Sequence, residues 1–367
     1  MLALVFSPAL LAYSYQGHQL IGAIADQQLH DAARQKVRTL LGFELRAAAP
    51  WPDCVRSVKA DGNGAYTYTQ DPQHPEYEVP CAVFDTPEER ARMEDYVRRN
   101  WDNCADAPVA GCHSTYHYTN VAFQHERYNR AYIGTSDHDI VGAINAAIAV
   151  LQDRPAPPPF SIKDKKEALF LLAHFVGDLH QPLHVGAAYL GSDNRPFDPD
   201  ALGQAPDPRT GTRGGNLIRD EISKTNLHSD WDQMPSALSG GVDRALSDSA
   251  HAVARTPGPV TGWAVIWAGE TLRLSRSAYI GLRFVDDPAL PGQWLAQFAD
   301  HAAYWKHKED LQKGEIVRAG ARLAQLLDAI WPTTRRPVEA HRVEQSAQNS
   351  RGGGDDQLRR ESTVRFP

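Results

Sequence analysis

Leu171-Leu172-Ala173-His174-Phe175-Val176-Gly177-Asp178-Leu179-His180-Gln181-Pro182-Leu183-His184 sets an imidazole and a carboxylate four residues apart inside an otherwise apolar run. On a helix, side chains at that spacing share one face about one turn apart. Two groups able to ligate one cation therefore point the same way from a segment whose composition belongs in a core. An aspartate there is costly to bury unless it is paired or bound to a cation. Pro182 cannot continue the helix and turns His184 back toward its C-terminal end. A second His-x-x-x-Asp pair, His228 and Asp232, lies in Asn226-Leu227-His228-Ser229-Asp230-Trp231-Asp232. Either pair alone is compatible with a satisfied buried histidine; together they favour bound metal.

Outward from this run the chain reads as helix after helix. Residues 163–180 carry the strongest helical pattern, and residues 17–41 read as one or two helices from Leu20, Ile21, Ile24 and Leu29. Residues 88–100 are charged and helix-favouring. Residues 140–152 form an apolar helix stopped by Arg154-Pro155 and Pro157-Pro158-Pro159. Residues 242–254, 263–278, 293–309 and 315–330 continue the pattern, while 49–80 and 190–216 read as loops. Strand signals are weak, so the expected class is all-α. Beyond Trp331 the composition turns to Arg, Glu, Gln, Ser and Gly, and residues 332–367 read as a solvated, disordered tail.

The 367 residues are 42% apolar and 9% aromatic, enough for a sizeable core, which excludes wholesale disorder. A formal net charge of −7 excludes a grip on long nucleic acid by overall positive charge. Any chemistry on phosphate esters then needs local positive charge, for which bound metal is the obvious source. Residues 1–12 are nearly all apolar but too few to span a bilayer; they read as a secretory segment ending at Leu10-Leu11-Ala12, or else as a buried N-terminal element. No other segment is long and apolar enough to be transmembrane. Four cysteines without a Cys-x-x-Cys pair suit a secreted or periplasmic protein with two disulfides. Of three possible connectivities, Cys104 with Cys112 and Cys54 with Cys81 is preferred.

The phrase His174-Phe175-Val176-Gly177-Asp178-Leu179-His180-Gln181-Pro182-Leu183-His184 resembles the signature of the zinc-dependent single-strand-specific nucleases of fungi and plants, which share the fold of bacterial zinc phospholipase C. Tyr15-Gln16-Gly17-His18, Trp51-Pro52-Asp53, Tyr116-His117-Tyr118-Thr119-Asn120 and Gly214-Gly215-Asn216 resemble further elements of that family, in its order. The segment Asn226 to Asp232 completes the set. The resemblance implies a multi-helix fold with long loops, residues 13–331 as the nuclease domain, and three zinc ions. Asp53, His117, His174 and Asp178 would hold the first; His184, His228 and Asp232 the second. His18, Asp178 and the amine and carbonyl of a mature N-terminal Tyr13 would hold the third. The family usually begins Trp-Gly where this chain has Tyr13-Ser14; backbone chelation tolerates that change but requires cleavage after Ala12. Asp53 would also orient the attacking hydroxide, Arg56 contact phosphate, and Tyr118 and Asn120 stack on and hydrogen-bond a base.

His113 and His180 are rival ligands, each four residues from an assigned histidine, with His180 more naturally a supporting residue beside the turn. His30, His74, His125, His138, His251, His301, His307 and His341 are expected on the surface. The implied activity is endonucleolytic cleavage of single-stranded DNA and RNA to 5′-phosphorylated products, with possible 3′-nucleotidase activity, by a monomer without a stable protein partner. The competing readings are a zinc phospholipase C on the same fold and a secreted zinc-binding protein without catalysis.

Overall fold

The computed structural model describes residues 13–70, 78–105, 107–203 and 205–333. The expected secretory segment and nearly all of the expected tail lie outside them. The helices are α1 (Tyr15–Gln28), α2 (Asp31–Leu41), α3 (Leu45–Ala48), α4 (Trp51–Cys54), α5 (Glu78–Cys81), α6 (Pro87–Arg99), α7 (Ile140–Leu151), α8 (Lys165–Leu179), α9 (Leu227–Asp232), α10 (Arg244–His251), α11 (Trp263–Tyr279) and α12 (His301–Ile330). No helix among the described residues is long and apolar enough to cross a membrane.

Helix α8 is the axis of the molecule. Asp164 starts it by accepting a hydrogen bond from the Glu167 amide at 2.9 Å, satisfying one of the donors a helix start leaves open. From Glu167 to Leu179 every residue is buried. Helices α1, α3, α4, α7 and α12 pack around it. The Trp51 ring of α4 stacks on Phe170 with centroids 5.1 Å apart, which fixes the turn that carries Asp53.

Small residues set how closely α1 approaches. A Cβ on Gly177 would meet His18 Nδ1 at 3.0 Å, and one on Gly320 of α12 would meet the Ile24 side chain at 2.6 Å. Gly320→Val is therefore expected to overpack the α1–α12 seam and destabilise the fold by about 1–3 kcal/mol. Thermal unfolding checks it; a variant as stable as the parent would contradict this packing.

The strands are short. β1 (Val58–Ala60) pairs antiparallel with β2 (Tyr66–Tyr68), and β3 (Val121–Ala122) pairs parallel with β4 (Gly186–Ala187). β5 (Ile218–Asp220), β6 (Leu282–Asp286) and β7 (Trp294–Phe298) form a three-stranded sheet in the order β5-β7-β6. This corrects the expectation of one helix over 293–309. Residues 294–298 alternate inward and outward as a strand between two partners. A new helix starts only after Asp300, whose carboxylate accepts from the Ala303 amide at 2.9 Å. That helix runs unbroken through Gly314 to Ile330, joining what reads as two helices in the sequence. Likewise the expected loop over 49–80 contains α4, β1 and β2.

Candidate metal centre

Helix α8 presents His174 and Asp178 on one face, as their spacing requires. Asp178 Oδ2 lies 3.2 Å from His174 Nε2 and 2.9 Å from His117 Nδ1, and its Oδ1 lies 3.2 Å from His18 Nε2. The His18 ring, delivered by α1, stacks on His174 with centroids 3.7 Å apart. Asp53 on α4 places Oδ1 3.8 Å from His174 Nε2. The turn Pro182–His184 brings His184 Nε2 to 3.8 Å from Asp232 Oδ1, and α9 holds His228 Nε2 3.6 Å from Asp232 Oδ2. Five histidines and three aspartates, spread over some two hundred residues of sequence, thus form one contiguous buried cluster. Three triads within it have donor atoms close enough for a shared cation: His18, His174 and Asp178; Asp53, His117 and His174; His184, His228 and Asp232.

The outer ring nitrogens explain the aim of the inner ones. His174 Nδ1 bonds the Ala49 carbonyl at 2.8 Å, His184 Nδ1 the His117 carbonyl at 2.7 Å, and His228 Nδ1 the Gly214 carbonyl at 2.8 Å. A carbonyl only accepts, so each Nδ1 carries a hydrogen and each ring turns Nε2 inward. Nε2 of His184 and Nε2 of His228 then face each other at 3.2 Å. Two lone pairs cannot share that gap without positive charge, supplied by a proton or a metal ion. Tetrahedral zinc with bonds of ~2.0–2.1 Å separates its ligand atoms by about 3.3 Å, the spacing found here.

Charge and burial state the same demand. Burial works against protonating His184, yet Asp178 and Asp232 outweigh it and lift its pKa to about 9. Burial also works to raise Asp178, but His174 and His184 outweigh it and hold the carboxylate well below its usual range. For His18 and His117 burial wins and lowers the imidazole pKa. Both oxygens of Asp53, both nitrogens of His18, Asp178 Oδ1 and Asp232 Oδ2 are buried without a hydrogen-bond partner. Buried polar atoms are rarely left so, and imidazoles with carboxylates are the donor set of zinc. The residues fit a multinuclear metal centre.

Several residues support the cluster in ways that their sequence positions do not announce. Gln181 is fully buried; its Nε2 donates to Asp232 Oδ1 at 2.7 Å, while its Oε1 accepts from the Leu183 amide at 2.5 Å at the head of the His184 turn. From α12, Lys308 Nζ donates to the Asp230 carbonyl at 2.6 Å and Gln312 to the Trp231 and Gln233 carbonyls, gripping the last turn of α9. Gly214 has φ +57, and a Cβ there would collide with the Leu183 carbonyl. The disulfides join Cys54 to Cys81 and Cys104 to Cys112, the preferred pairing. The first begins at the residue after Asp53.

The sequence profile of the S1/P1 nucleases matches residues 13–332. The chain belongs to the S1/P1 nuclease family. It is 24% identical to Endonuclease 4 of Arabidopsis thaliana over 88% of this chain and 90% of that protein. It is 27% identical to Endonuclease 1 of the same plant over 87% of each. With Nuclease P1 of Penicillium citrinum it shares 34% identity over 52% of this chain and 67% of that protein. The all-α, phospholipase C-like fold of the S1/P1 family agrees with the helical architecture described above.

The other residues singled out in the sequence are placed by contacts of their own. Arg56 Nη1 is 3.6 Å from Asp53 Oδ1, at the rim. Tyr118 and Asn120 are half-buried; burial raises the Tyr118 pKa, with Arg56 and Arg213 close enough to oppose it. Asn120 is pinned through its backbone, its amide to the Gly134 carbonyl at 2.9 Å and its carbonyl to the Tyr189 hydroxyl at 3.0 Å. Tyr13 is buried, donates to the His180 carbonyl at 3.3 Å, and precedes Ser14, whose amide bonds the Asp232 carbonyl at 3.0 Å.

His113 and His180 stand outside the triads. His180 spends both ring nitrogens, on the Val176 carbonyl and on Arg322, and His113 packs beside Trp101. The expectation of surface histidines holds for His30, His251 and His307. It fails for His138, which is buried against Asp137, and for the half-buried His125 and His301, each of which pairs with aspartate. His74 and His341 lie outside the described residues.

Proposed function

We propose that this protein is a zinc-dependent endonuclease that hydrolyses phosphodiester bonds of single-stranded DNA and RNA, leaving 5′-phosphates, and that also removes terminal 3′-phosphates. The observation that carries the reading is the pair of imidazole nitrogens of His184 and His228, aimed at one point 3.2 Å apart by carbonyls behind them. Membership of the S1/P1 family supports the substrate class.

Three zinc ions would be divided as the resemblance implies. Asp53, His117, His174 and Asp178 would hold one, and His184, His228 and Asp232 another. His18, Asp178 and the backbone amine and carbonyl of Tyr13 would hold the third, after cleavage behind Ala12. Bound zinc supplies Lewis acidity toward phosphoryl oxygen and lowers the pKa of water to about 7. Around it, Asp53 orients the nucleophile and Arg56, at the exposed edge of the same turn, contacts a non-bridging phosphate oxygen. Tyr118 offers a ring face for an unpaired base and Asn120 an amide for its edge. Duplex bases are already stacked, which gives the preference for single strands. A net charge of −7 leaves substrate binding to these local contacts.

Residues 13–331 are the catalytic unit in this reading, with residues 1–12 an export segment and 332–367 a tail without a catalytic role. The protein acts outside the cytoplasm as a monomer; its two disulfides favour that compartment. A side-by-side assay tests the function. Single-stranded DNA and RNA should be cleaved far faster than duplex DNA, and phosphatidylcholine should be left intact. Release of phosphocholine instead would move the protein to the phospholipase side of the fold.

Gln181→Met keeps the unbranched length of the side chain but removes both ends of the link between the His184 turn and Asp232. It should weaken zinc binding roughly 10–100-fold, read by competition with a chromophoric chelator. Unchanged affinity would mean that Asp232 needs no such support.

A further inference from the structure

Away from this centre, the loops bring together another imidazole and two carboxylates. His125 Nε2 lies 2.8 Å from Asp200 Oδ2 and 3.3 Å from Asp198 Oδ1. Their side chains are 14%, 20% and 30% exposed, so they are reachable from solvent yet partly desolvated.

Each donor is aimed by contacts of its own. The His125 ring lies flat against Tyr132, with centroids 3.7 Å apart and planes 10° apart, which fixes the direction of Nε2. Asp200 Oδ1 accepts from the Ile133 amide at 2.9 Å, and Asp198 Oδ1 accepts from the Asp200 amide at 3.0 Å. These contacts hold the three side chains toward one another. Among the described residues, neither carboxylate forms an ion pair with Lys or Arg. One N–H hydrogen satisfies one carboxylate well, whereas a divalent cation at the convergence point serves all three groups.

We propose that His125, Asp198 and Asp200 form a fourth divalent-cation site, taking a zinc-class ion through one imidazole nitrogen and two carboxylate oxygens, with water completing the shell. Mixed nitrogen and carboxylate ligation suits such an ion. The site clips the loop that follows β3 to the long loop over 190–216. That second loop contains Gly214, whose carbonyl orients His228. The cation is structural: it shortens the free loop rather than touching substrate.

The test uses the full chain, saturated with zinc and freed of excess. The parent should retain one more equivalent of zinc than either His125→Gln or Asp198→Asn, and both variants should keep their rate on single-stranded DNA. Crystals of the parent should give an anomalous peak at the zinc edge within bonding distance of His125 Nε2. That peak is read separately from those at the main centre, so it decides the matter even if a variant fails to fold. Equal zinc content in parent and variants, or no zinc-edge peak beside His125, overturns the site while leaving the nuclease reading untouched.

Discussion

Asp178→Asn should lower kcat/KM on single-stranded DNA by roughly 10³–10⁴-fold, which is about 4–5.5 kcal/mol of transition-state stabilisation. The carboxylate is the hinge of the cluster: one oxygen meets His117 and His174, the other faces His18 at 3.2 Å and His184 Nδ1 at 4.0 Å. Asparagine is nearly isosteric but neutral, and it replaces one acceptor with an NH₂ group pointed at nitrogens that need a cation. Loss of one negative charge weakens two of the proposed zinc positions together. Circular dichroism should remain that of the parent, because α8 is fixed by apolar packing along its length. A variant within tenfold of the parent rate would remove Asp178 from the catalytic centre.

Exhaustive chelation should abolish activity and lower Tm by roughly 10 °C or more, with zinc restoring both. The cluster is assembled from groups that are unsatisfied on their own, since Asp53, His18, Asp178 and Asp232 all bury atoms without hydrogen-bond partners. Each such atom costs about 1–3 kcal/mol in a dry interior. A ligand present at a thousandfold excess over its Kd adds about 4 kcal/mol to stability per site. Three sites, at a few degrees or less per kcal/mol for a domain of this size, give a shift of that order. An unchanged melting curve after chelation would show that protons or water complete the pocket instead of metal.

The candidate ligand cluster of this fold is legible in sequence because its chemistry is local. His174 with Asp178, and His228 with Asp232, sit at helical spacing, and Pro182 announces the turn that reverses His184. What supports them is not legible. Gln181 acts on Asp232 across 51 residues, and Gln312 acts on Trp231 across 81. These are side-chain contacts to single distant atoms, which impose no periodicity. Strand β7 escapes for a related reason: five residues pair with β5 and β6, and the same apolar residues run directly into a helix. His125 reads as a surface residue because its aspartates lie more than seventy positions downstream.

The grip of α12 on α9 also bears on the order in which the cluster is completed during synthesis. A ribosome extends the chain at ~5–20 residues per second, so the 81 residues from Trp231 to Gln312 take ~4–16 s. Until Lys308 and Gln312 emerge, the carbonyls of Asp230, Trp231 and Gln233 at the end of α9 lack their side-chain donors. The nascent polypeptide thus carries every candidate ligand before the turn bearing His228 and Asp232 has its α12 contacts, and its own messenger is threaded through the ribosome during that interval.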